Sequence, residues 1–291
     1  MLNESPIMIT GMHRSGTSLI VKLLEQHGFF AGVKQDPNRE ALFFQIRNEW
    51  MLRRSGGSWD NPLPIQWAQA DDYFRNEIDQ RLKQSLSGWE LARFVGWGTY
   101  FFKQTMNHPW GWKDPRTIFT FKFWAPFFPK AKLLLMVRNG IDVAHSLQTR
   151  QTRDQKEKKY HSFSKLKLSK RLKDAIFPFE PYILQSTRCL DIKRAFDLWH
   201  IYQTEAVKLL ANYSGPKLLV RFEDLLNNPQ KVLPKVFKFC ELEDASDFTA
   251  ELKSLNKDRA YSFVSNPKLV ELYQNVKDTE FMVHFGYNAI V

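Results

Sequence analysis

The chain has 291 residues, and its 42 Lys and Arg against 31 Asp and Glu give a formal net charge of +11. Hydrophobic residues make up 43% of it and include 24 Phe, which predicts a packed globular protein. No apolar stretch approaches the roughly 18 residues of a membrane span, and two cysteines, Cys189 and Cys240, are too few for a disulfide scaffold. The basic excess favours anionic partners.

The N-terminal residues lack the basic and apolar regions of a secretory signal, so the sequence predicts a cytoplasmic location. The two cysteines are accordingly predicted to be reduced thiols. Peripheral contact with a membrane surface stays open, because a basic segment at residues 150–173 also carries Leu and Phe. The plainer interpretation of that segment is a solvated insertion. The functional interpretation is that the segment covers the active site or binds an acidic acceptor.

The predicted elements begin with a short apolar strand at residues 6–10 and a helix at residues 17–27, which has apolar residues three and four apart. Further helices are predicted at residues 40–54, 71–86, 89–102, 141–149, 192–210 and 229–242, and further strands at residues 111–113, 132–137 and 217–222. This alternation predicts an α/β fold with a P-loop-like central parallel sheet flanked by helices on both faces. A single domain over residues 1–291 is predicted, with a basic insertion at about 150–185.

The junction between the first strand and the first helix has the two glycines of a phosphate-binding loop, Gly11 and Gly16. Such a loop points backbone N–H groups at an anion on the positive end of the helix. A Walker loop needs Lys after its second glycine, but here Thr17 follows Gly16 and the cation, Arg14, precedes it. The loop therefore indicates a phosphate-bearing donor other than ATP.

A second strand–turn–helix junction, at residues 133–146, places Arg138 at the end of a strand and Ser146 about two turns into a helix. An arginine fork and a serine hydroxyl are both suitable donors to phosphate oxygens. The alternatives are a surface arginine and an ordinary helical serine.

Together, Gly-Met-His-Arg-Ser-Gly-Thr-Ser at residues 11–18 and Val-Arg-Asn-Gly-Ile-Asp-Val-Ala-His-Ser at residues 137–146 resemble two motifs of the sulfotransferases that use 3′-phosphoadenosine 5′-phosphosulfate. The first resembles their 5′-phosphosulfate loop and the second their 3′-phosphate motif. The resemblance implies that residues 14–18 cradle the phosphosulfate; these are Arg14, Ser15, Gly16, Thr17 and Ser18. It also implies that Arg138 and Ser146 bind the 3′-phosphate. His13 stands where the family more often has proline, and it is predicted to shape the loop or contact phosphate.

A third segment, Gly-Trp-Lys-Asp-Pro-Arg-Thr at residues 111–117, resembles one found in bacterial and tyrosylprotein sulfotransferases, and the resemblance covers roughly residues 6–240. It implies that Lys113 stabilises charge on the leaving phosphate, which with Arg14 would suffice without a metal. The alternative for Lys113 is an ion pair with Asp114 or a neighbouring carboxylate. For Arg116, a role in the site and a purely structural role are equally compatible with the sequence. The histidines show no metal-ligand spacing, so no metal site is predicted.

An acceptor hydroxyl or amine must lose a proton, so a general base is expected. The Lys-x-His segment of the cytosolic enzymes is not found, and Glu40, which precedes a Phe-Phe pair as in a bacterial pattern, is the predicted base. Asp36 and Asp60 are the alternatives, and a carboxylate favourable to the helix dipole is the structural interpretation of Glu40. Residues 255–291 do not match the glycine-rich C-terminal segment of the cytosolic enzymes; Arg259 is interpreted as a solvated side chain rather than its replacement.

The sequence thus predicts a sulfotransferase that moves a sulfuryl group from 3′-phosphoadenosine 5′-phosphosulfate to an acceptor O or N atom, with a carbohydrate or small metabolite preferred as acceptor. Tryptophans are candidates to stack on sugar rings or to fill the core: Trp50, Trp59, Trp67, Trp89 and Trp97. The alternatives are a P-loop kinase of small molecules and a non-catalytic binder of anionic polymers. No nucleic-acid partner is expected.

Overall fold

The computed structural model describes residues 2–102, 108–161, 187–242 and 255–291, with the backbone alone for residues 156–161. Four parallel strands form a central sheet. They are β1 (Ile7–Gly11), β2 (Gly111–Lys113), β3 (Lys132–Val137) and β4 (Lys217–Arg221). Their spatial order is β2-β1-β3-β4. The predicted P-loop-like parallel sheet is confirmed.

Helices account for most of the rest of the described chain. They are α1 (Thr17–Gln26), α2 (Leu42–Arg54), α3 (Ile65–Ala70), α4 (Asp72–Ser87), α5 (Ala92–Val95), α6 (Trp97–Phe101), α7 (Thr117–Trp124), α8 (Gly140–His161), α9 (Ile192–Asn212), α10 (Phe222–Asn227), α11 (Pro229–Phe239), α12 (Pro267–Val276) and α13 (Glu280–His284). No helix in these described parts is long and apolar enough to cross a membrane. The cytoplasmic location stays a prediction.

Both faces of the sheet are buried, which explains why β1 and β3 are almost continuously apolar. On β3, Leu134 and Met136 pack in one core cluster with helices α1 and α11. The alternate residues, Leu133 and Leu135, pack in a second cluster with α2, α7, α8 and α9. Because side chains alternate along a strand, the two clusters lie on opposite faces. The predicted covering of both faces is confirmed.

The strand order creates a crevice at the carboxyl edge of the sheet. The chain passes from β1 to β2 on one side and then to β3 on the other, so β1 and β3 are neighbours whose following loops diverge. In open α/β sheets this switch point is where ligands bind. The loop after β1 carries Arg14 and the residue after β3 is Arg138, so the fold brings the two predicted anion-binding arginines to the crevice.

Two predicted helix boundaries differ from the structure. The helix predicted at residues 89–102 is a short 3-10 turn followed by α5 and α6, because Gly96 adopts a φ of 89° that interrupts the helix. The helix predicted at residues 141–149 continues to His161, so the first part of the predicted basic insertion is a continuation of α8. Residues 162–186 of that insertion lie outside the described residues.

We expect Gly11→Ala to lower the free energy of unfolding more than Gly28→Ala, a matched control. Both glycines have positive φ, 146° and 88°, so each alanine carries a backbone cost of about 1–3 kcal/mol. A Cβ on Gly11 would also lie 2.2 Å from the Met136 carbonyl oxygen, whereas one on Gly28 meets nothing within 4 Å. The clash should add about 1–3 kcal/mol. Urea unfolding of both variants measures this difference, and equal losses would contradict the close approach of β1 to β3.

Candidate active site

The loop between β1 and α1 is held in a strained conformation by its sequence. Arg14 has a φ of 72°, and Gly16, which precedes α1, has a φ of 93°. A Cβ on Gly16 would lie 2.2 Å from the ring of Phe222, so glycine is required there for space as well as for backbone conformation. The Ser15 hydroxyl is buried and has no hydrogen-bond partner among the described residues. An unsatisfied donor beside a helix N-terminus fits an anion as its partner.

Arg14 and Arg138 are joined directly across the crevice. The Arg14 Nε atom donates to the Ser146 hydroxyl at 2.8 Å, and the Arg138 guanidinium donates to the Arg14 carbonyl at 3.2 Å. Arg138 also donates to the Arg259 carbonyl at 2.8 Å and lies 3.4 Å from an Asp142 carboxylate oxygen. The loop after β1 and the junction after β3 therefore form one continuous site.

A cleft of about 270 Å³ lies beside these residues, and the described residues that line it include five arginines and one carboxylate. Its lining residues are Arg14, Arg138, Asp142, His145, Ser146, Thr149, Arg150, Arg153, Arg259 and Ser262. The pKa of Arg14 is lowered by burial and by the nearby cations, chiefly Arg150, Arg259 and Arg138. The excess of cations makes this arginine cleft a site for a multiply charged anion.

The C-terminal part of the chain closes one side of the arginine cleft. The Asp142 carboxylate accepts hydrogen bonds from the Ser262 hydroxyl at 2.8 Å and from the Phe263 N–H at 2.9 Å. Arg259 is exposed at the rim of the cleft, although its carbonyl is held by Arg138. The expectation of a solvated Arg259 side chain therefore describes its exposure and misses its position at the site.

Four charged side chains at the carboxyl edge of β2 form a buried network. Glu40 accepts from Lys113 Nζ at 2.9 Å and from Arg116 at 2.6 Å, and Arg116 also donates to Asp114 at 2.8 Å. All four are at most 5% exposed. Asn48 donates to the second Asp114 oxygen at 2.9 Å. Lys113 thus makes the ion pair weighed from the sequence, with Glu40 rather than Asp114, and Arg116 belongs to the same cluster.

The network shifts the proton affinities of its members in opposite directions. Burial alone would raise the pKa of Glu40, but the charges of Lys113 and Arg116 outweigh it and lower the pKa to about 2. Burial, aided by Glu40, raises the pKa of Asp114 to about 6 although Arg116 opposes the shift. Burial also lowers the pKa of Arg116, but Asp114 and Glu40 raise it well above its ordinary value. Glu40 is therefore ionised at neutral pH.

A second cleft of about 280 Å³ lies beside this network and shares a wall with the arginine cleft. It is lined by His13, Arg14, Asp36, Asn38, Glu40, Gln45, Glu49, Arg53, Ser58, Trp59, Arg116, Arg150, Gln151, Arg153 and Asp154. Three arginines line both clefts: Arg14, Arg150 and Arg153. We call it the mixed cleft, because both arginines and carboxylates line it. Trp59 is the one candidate sugar-stacking tryptophan among its lining residues, and Trp67, Trp89 and Trp97 are exposed elsewhere.

The other predicted residues occupy different depths around the two clefts. Ser18 donates from its hydroxyl to the Asn38 carbonyl at 2.7 Å, and Thr17 is buried at the start of α1. Asp36 lines the mixed cleft and accepts from the Glu40 N–H at 2.8 Å, so it braces the loop that carries Glu40. Asp60 is buried, accepts from the Ser58 hydroxyl at 2.5 Å and is not among the residues lining the mixed cleft.

Arg150 and Arg153 are site residues that the sequence analysis assigned to the basic insertion. Asp142, Ser146 and Arg150 are spaced by four along α8 and so lie on one helix face. Continuing the 3.6-residue period beyond residue 149 would have found Arg150. The charge-rich composition of the following residues concealed this helical signal.

A family model described as the sulfotransferase family matches residues 6–247 of this chain. Among solved structures, the sulfotransferase domain from the curacin biosynthetic pathway is similar, with 13% identity, a TM-score of 0.45 and coverage of 89% of this chain and 81% of its own. The sulfotransferase domain of the Synechococcus PCC 7002 olefin synthase has 18% identity, a TM-score of 0.44 and coverages of 94% and 88%. A sulfotransferase from Alicyclobacillus acidocaldarius has 15% identity, a TM-score of 0.44 and coverages of 95% and 97%. No curated protein matches significantly.

We expect Glu40→Gln to lower the free energy of unfolding by about 3–5 kcal/mol, because it leaves Lys113 and Arg116 buried without their shared carboxylate. Glu77→Gln is the matched control. Its partner Arg54, 3.0 Å away, is 41% exposed, so its loss should cost at most about 1 kcal/mol. Urea unfolding at pH 7 compares the two variants. Equal effects would contradict a network that depends on Glu40.

Proposed function

Because the chain belongs to the sulfotransferase family, we propose that it transfers a sulfuryl group from 3′-phosphoadenosine 5′-phosphosulfate to a hydroxyl or amine. The chain is a transferase. The identities of its donor and its acceptor are what we propose. The observation that carries the choice of donor is the arginine cleft, which continues from the loop after β1 to Arg138 through the Arg14–Ser146 hydrogen bond. A donor with charged groups at both its 5′ and 3′ positions matches a site with cations along its whole length.

We assign the 5′-phosphosulfate to the loop after β1 and the 3′-phosphate to the arginine cleft. Gly16, Thr17 and Ser18 supply backbone N–H groups at the start of α1, Ser15 supplies its unpartnered hydroxyl, and Arg14 is the cation. Arg138 and Ser146, the residues predicted from the sequence, bind the 3′-phosphate, and Arg259 joins them from the C-terminal segment. His13 belongs to the same loop and lines the mixed cleft.

Sulfuryl transfer depends on alignment and on stabilising charge at the departing phosphate. Lys113 is the residue that the sequence resemblance assigns to that task. Its buried Nζ atom donates to Glu40 at 2.9 Å and to the Asn38 carbonyl at 3.1 Å. The general base predicted from the sequence is Glu40, with Asp36 and Asp60 as the alternatives, and no observation tests that prediction. The lowered pKa of Glu40 makes it a weak proton acceptor while Lys113 and Arg116 remain bonded to it.

The acceptor enters through the mixed cleft in this proposal. Its lining combines one aromatic ring, Trp59, with both signs of charge, a composition suited to a polar ring compound. A carbohydrate or a small polar metabolite is therefore the proposed acceptor class. The identifying experiment incubates the protein with donor labelled in its sulfuryl group and a pooled cell extract, followed by isolation of the labelled product. Turnover of ATP with Mg²⁺ and no transfer of label would favour the kinase alternative.

We expect 3′-phosphoadenosine 5′-phosphate to raise the melting temperature strongly and 5′-AMP to raise it little, because only the former carries a 3′-phosphate. At about 100 times its Kd, a ligand stabilises the folded state by about 2.7 kcal/mol. Arg138→Ala should erase most of the difference between the two nucleotides. Thermal unfolding with each nucleotide measures this, and an unchanged preference in the variant would remove Arg138 from the 3′-phosphate site.

A second pair of variants tests the C-terminal contribution without disturbing the fold. Lys257 and Arg259 are both exposed in the same 3-10 turn, but only Arg259 lines the arginine cleft. We expect Arg259→Met to weaken binding of 3′-phosphoadenosine 5′-phosphate about tenfold, since it removes a charged donor. Lys257→Met should bind like the wild type. Calorimetric titration gives both affinities, and equal weakening would indicate general electrostatic attraction instead of a specific contact.

A further inference from the structure

His13 is a titratable side chain in the phosphate-binding loop whose chemistry is not explained by phosphate binding. It lines the mixed cleft together with Glu40 and Arg116. Its ring packs edge-on against Trp59 and Tyr202, with centroids 5.0 and 6.0 Å away. The Nε2 atom is shielded from solvent and has no hydrogen-bond partner among the described residues. A buried polar atom left unsatisfied is costly, so a functional explanation is called for.

The two rings that flank His13 are tied to each other. The Tyr202 hydroxyl donates to the Trp59 carbonyl at 2.7 Å, and the Arg150 guanidinium lies 5.0 Å from the centre of the Trp59 ring. Tyr202 belongs to α9, whereas Trp59 lies in the segment that follows α2. The imidazole is therefore fixed between separate parts of the fold. Fixed orientation is what a group that exchanges a proton with substrate requires.

The charges around His13 favour its neutral form. Burial is the main cause that lowers its pKa well below 6.5, and Arg150, Arg116 and Lys113 lower it further. Glu40 opposes this shift without outweighing it. At neutral pH the imidazole is thus unprotonated. In the tautomer with its proton on Nδ1, Nε2 has a free lone pair and can accept a proton.

Glu40 is less suited to the same task. Its two oxygens already accept from Lys113, Arg116 and Gln45, at distances of 2.9, 2.6 and 2.9 Å. A carboxylate bonded in this way can take up a proton only by giving up part of these contacts. Among the described residues that line the mixed cleft, three have a buried polar atom without a hydrogen-bond partner: His13 Nε2, Trp59 Nε1 and Gln151 Oε1. The indole N–H can only donate and an amide oxygen does not take up a proton at neutral pH, so the unpartnered atom able to accept a proton is on His13, and the carboxylate serves to hold the cations.

We propose that His13 Nε2 is the general base that accepts the proton of the acceptor during transfer, an inference that rests on the proposed function. As the acceptor oxygen or nitrogen forms its bond to sulfur, the bond from sulfur to the 5′-phosphate oxygen breaks. The electron pair leaves with 3′-phosphoadenosine 5′-phosphate, and the acceptor proton passes to Nε2. The imidazolium then returns the proton to water. Glu40 is a positioning residue in this scheme.

The test uses His13→Gln, which places an amide near the position of Nε2 but cannot take up a proton at neutral pH. His200→Gln is the control, because His200 packs against Phe281 and does not line either cleft. Two quantities are measured: release of labelled inorganic sulfate from the donor with water as acceptor, and the thermal shift given by 3′-phosphoadenosine 5′-phosphate. A general base contributes about 10²–10⁴-fold, so His13→Gln should slow sulfate release at pH 7.5 at least about 100-fold.

The same variant should keep the nucleotide-induced thermal shift of the wild type, and His200→Gln should match the wild type in both measurements. The wild-type rate should fall only at a pH well below the ordinary imidazole value of 6.5, because the pKa of His13 is lowered, and this acidic limb should be missing from His13→Gln. An undiminished rate in His13→Gln would overturn the proposal. Loss of both the rate and the thermal shift would also overturn it, because His13 would then be a residue that shapes the loop.

An NMR titration of the wild type tests the proposal without a variant. With 3′-phosphoadenosine 5′-phosphate bound, the His13 Cε1–H resonance should report a neutral ring at pH 7. A protonated ring at that pH would overturn the assignment. Failure of the wild type to bind this nucleotide is a separate result that contradicts the proposed function itself.

Discussion

Repulsion among arginines at the carboxyl edge of the sheet is the constraint around which the site is built. Five of them line one cleft, and burial beside other cations lowers the pKa of both Arg14 and Arg138. The described residues restrain them with neutral acceptors, the carbonyls of Arg14 and Arg259 and the Ser146 hydroxyl, and with two carboxylates: Asp142 beside Arg138 and Asp154 beside Arg153. A site with so few counter-charges is stabilised most by an anion that brings several.

In the neighbouring network around Glu40, by contrast, each buried cation has a carboxylate partner. Lys113 and Arg116 share Glu40, and Arg116 also contacts Asp114, with every member buried. Buried ion pairs contribute little net stability but are costly to break, so they fix geometry more than they stabilise the fold. The two clefts thus differ in kind: arginines dominate the lining of one, and the other combines arginines, carboxylates and an imidazole.

The strand–loop–helix junctions could be predicted from the sequence because each is encoded by neighbouring residues. An apolar run, two glycines and an amphipathic helix specify the loop after β1, and the order of strands and helices specifies a parallel sheet. The break at Gly96 and the length of α8 were predicted wrongly. A positive φ at one glycine, and a helix continuing into a charged segment, depend on packing that local patterns do not reveal.

The sequence by itself determined the fold class, the two arginines at the strand ends and the absence of a Walker lysine, since these follow from residue type and short spacing. The tertiary structure alone decided that Glu40 pairs with Lys113 across 73 positions and that Arg259 reaches the arginine cleft. It also decided that His13 Nε2 has no hydrogen-bond partner within the described parts of the chain. These properties depend on contacts between residues far apart in the sequence and on the burial of single atoms. Local sequence patterns predict neither.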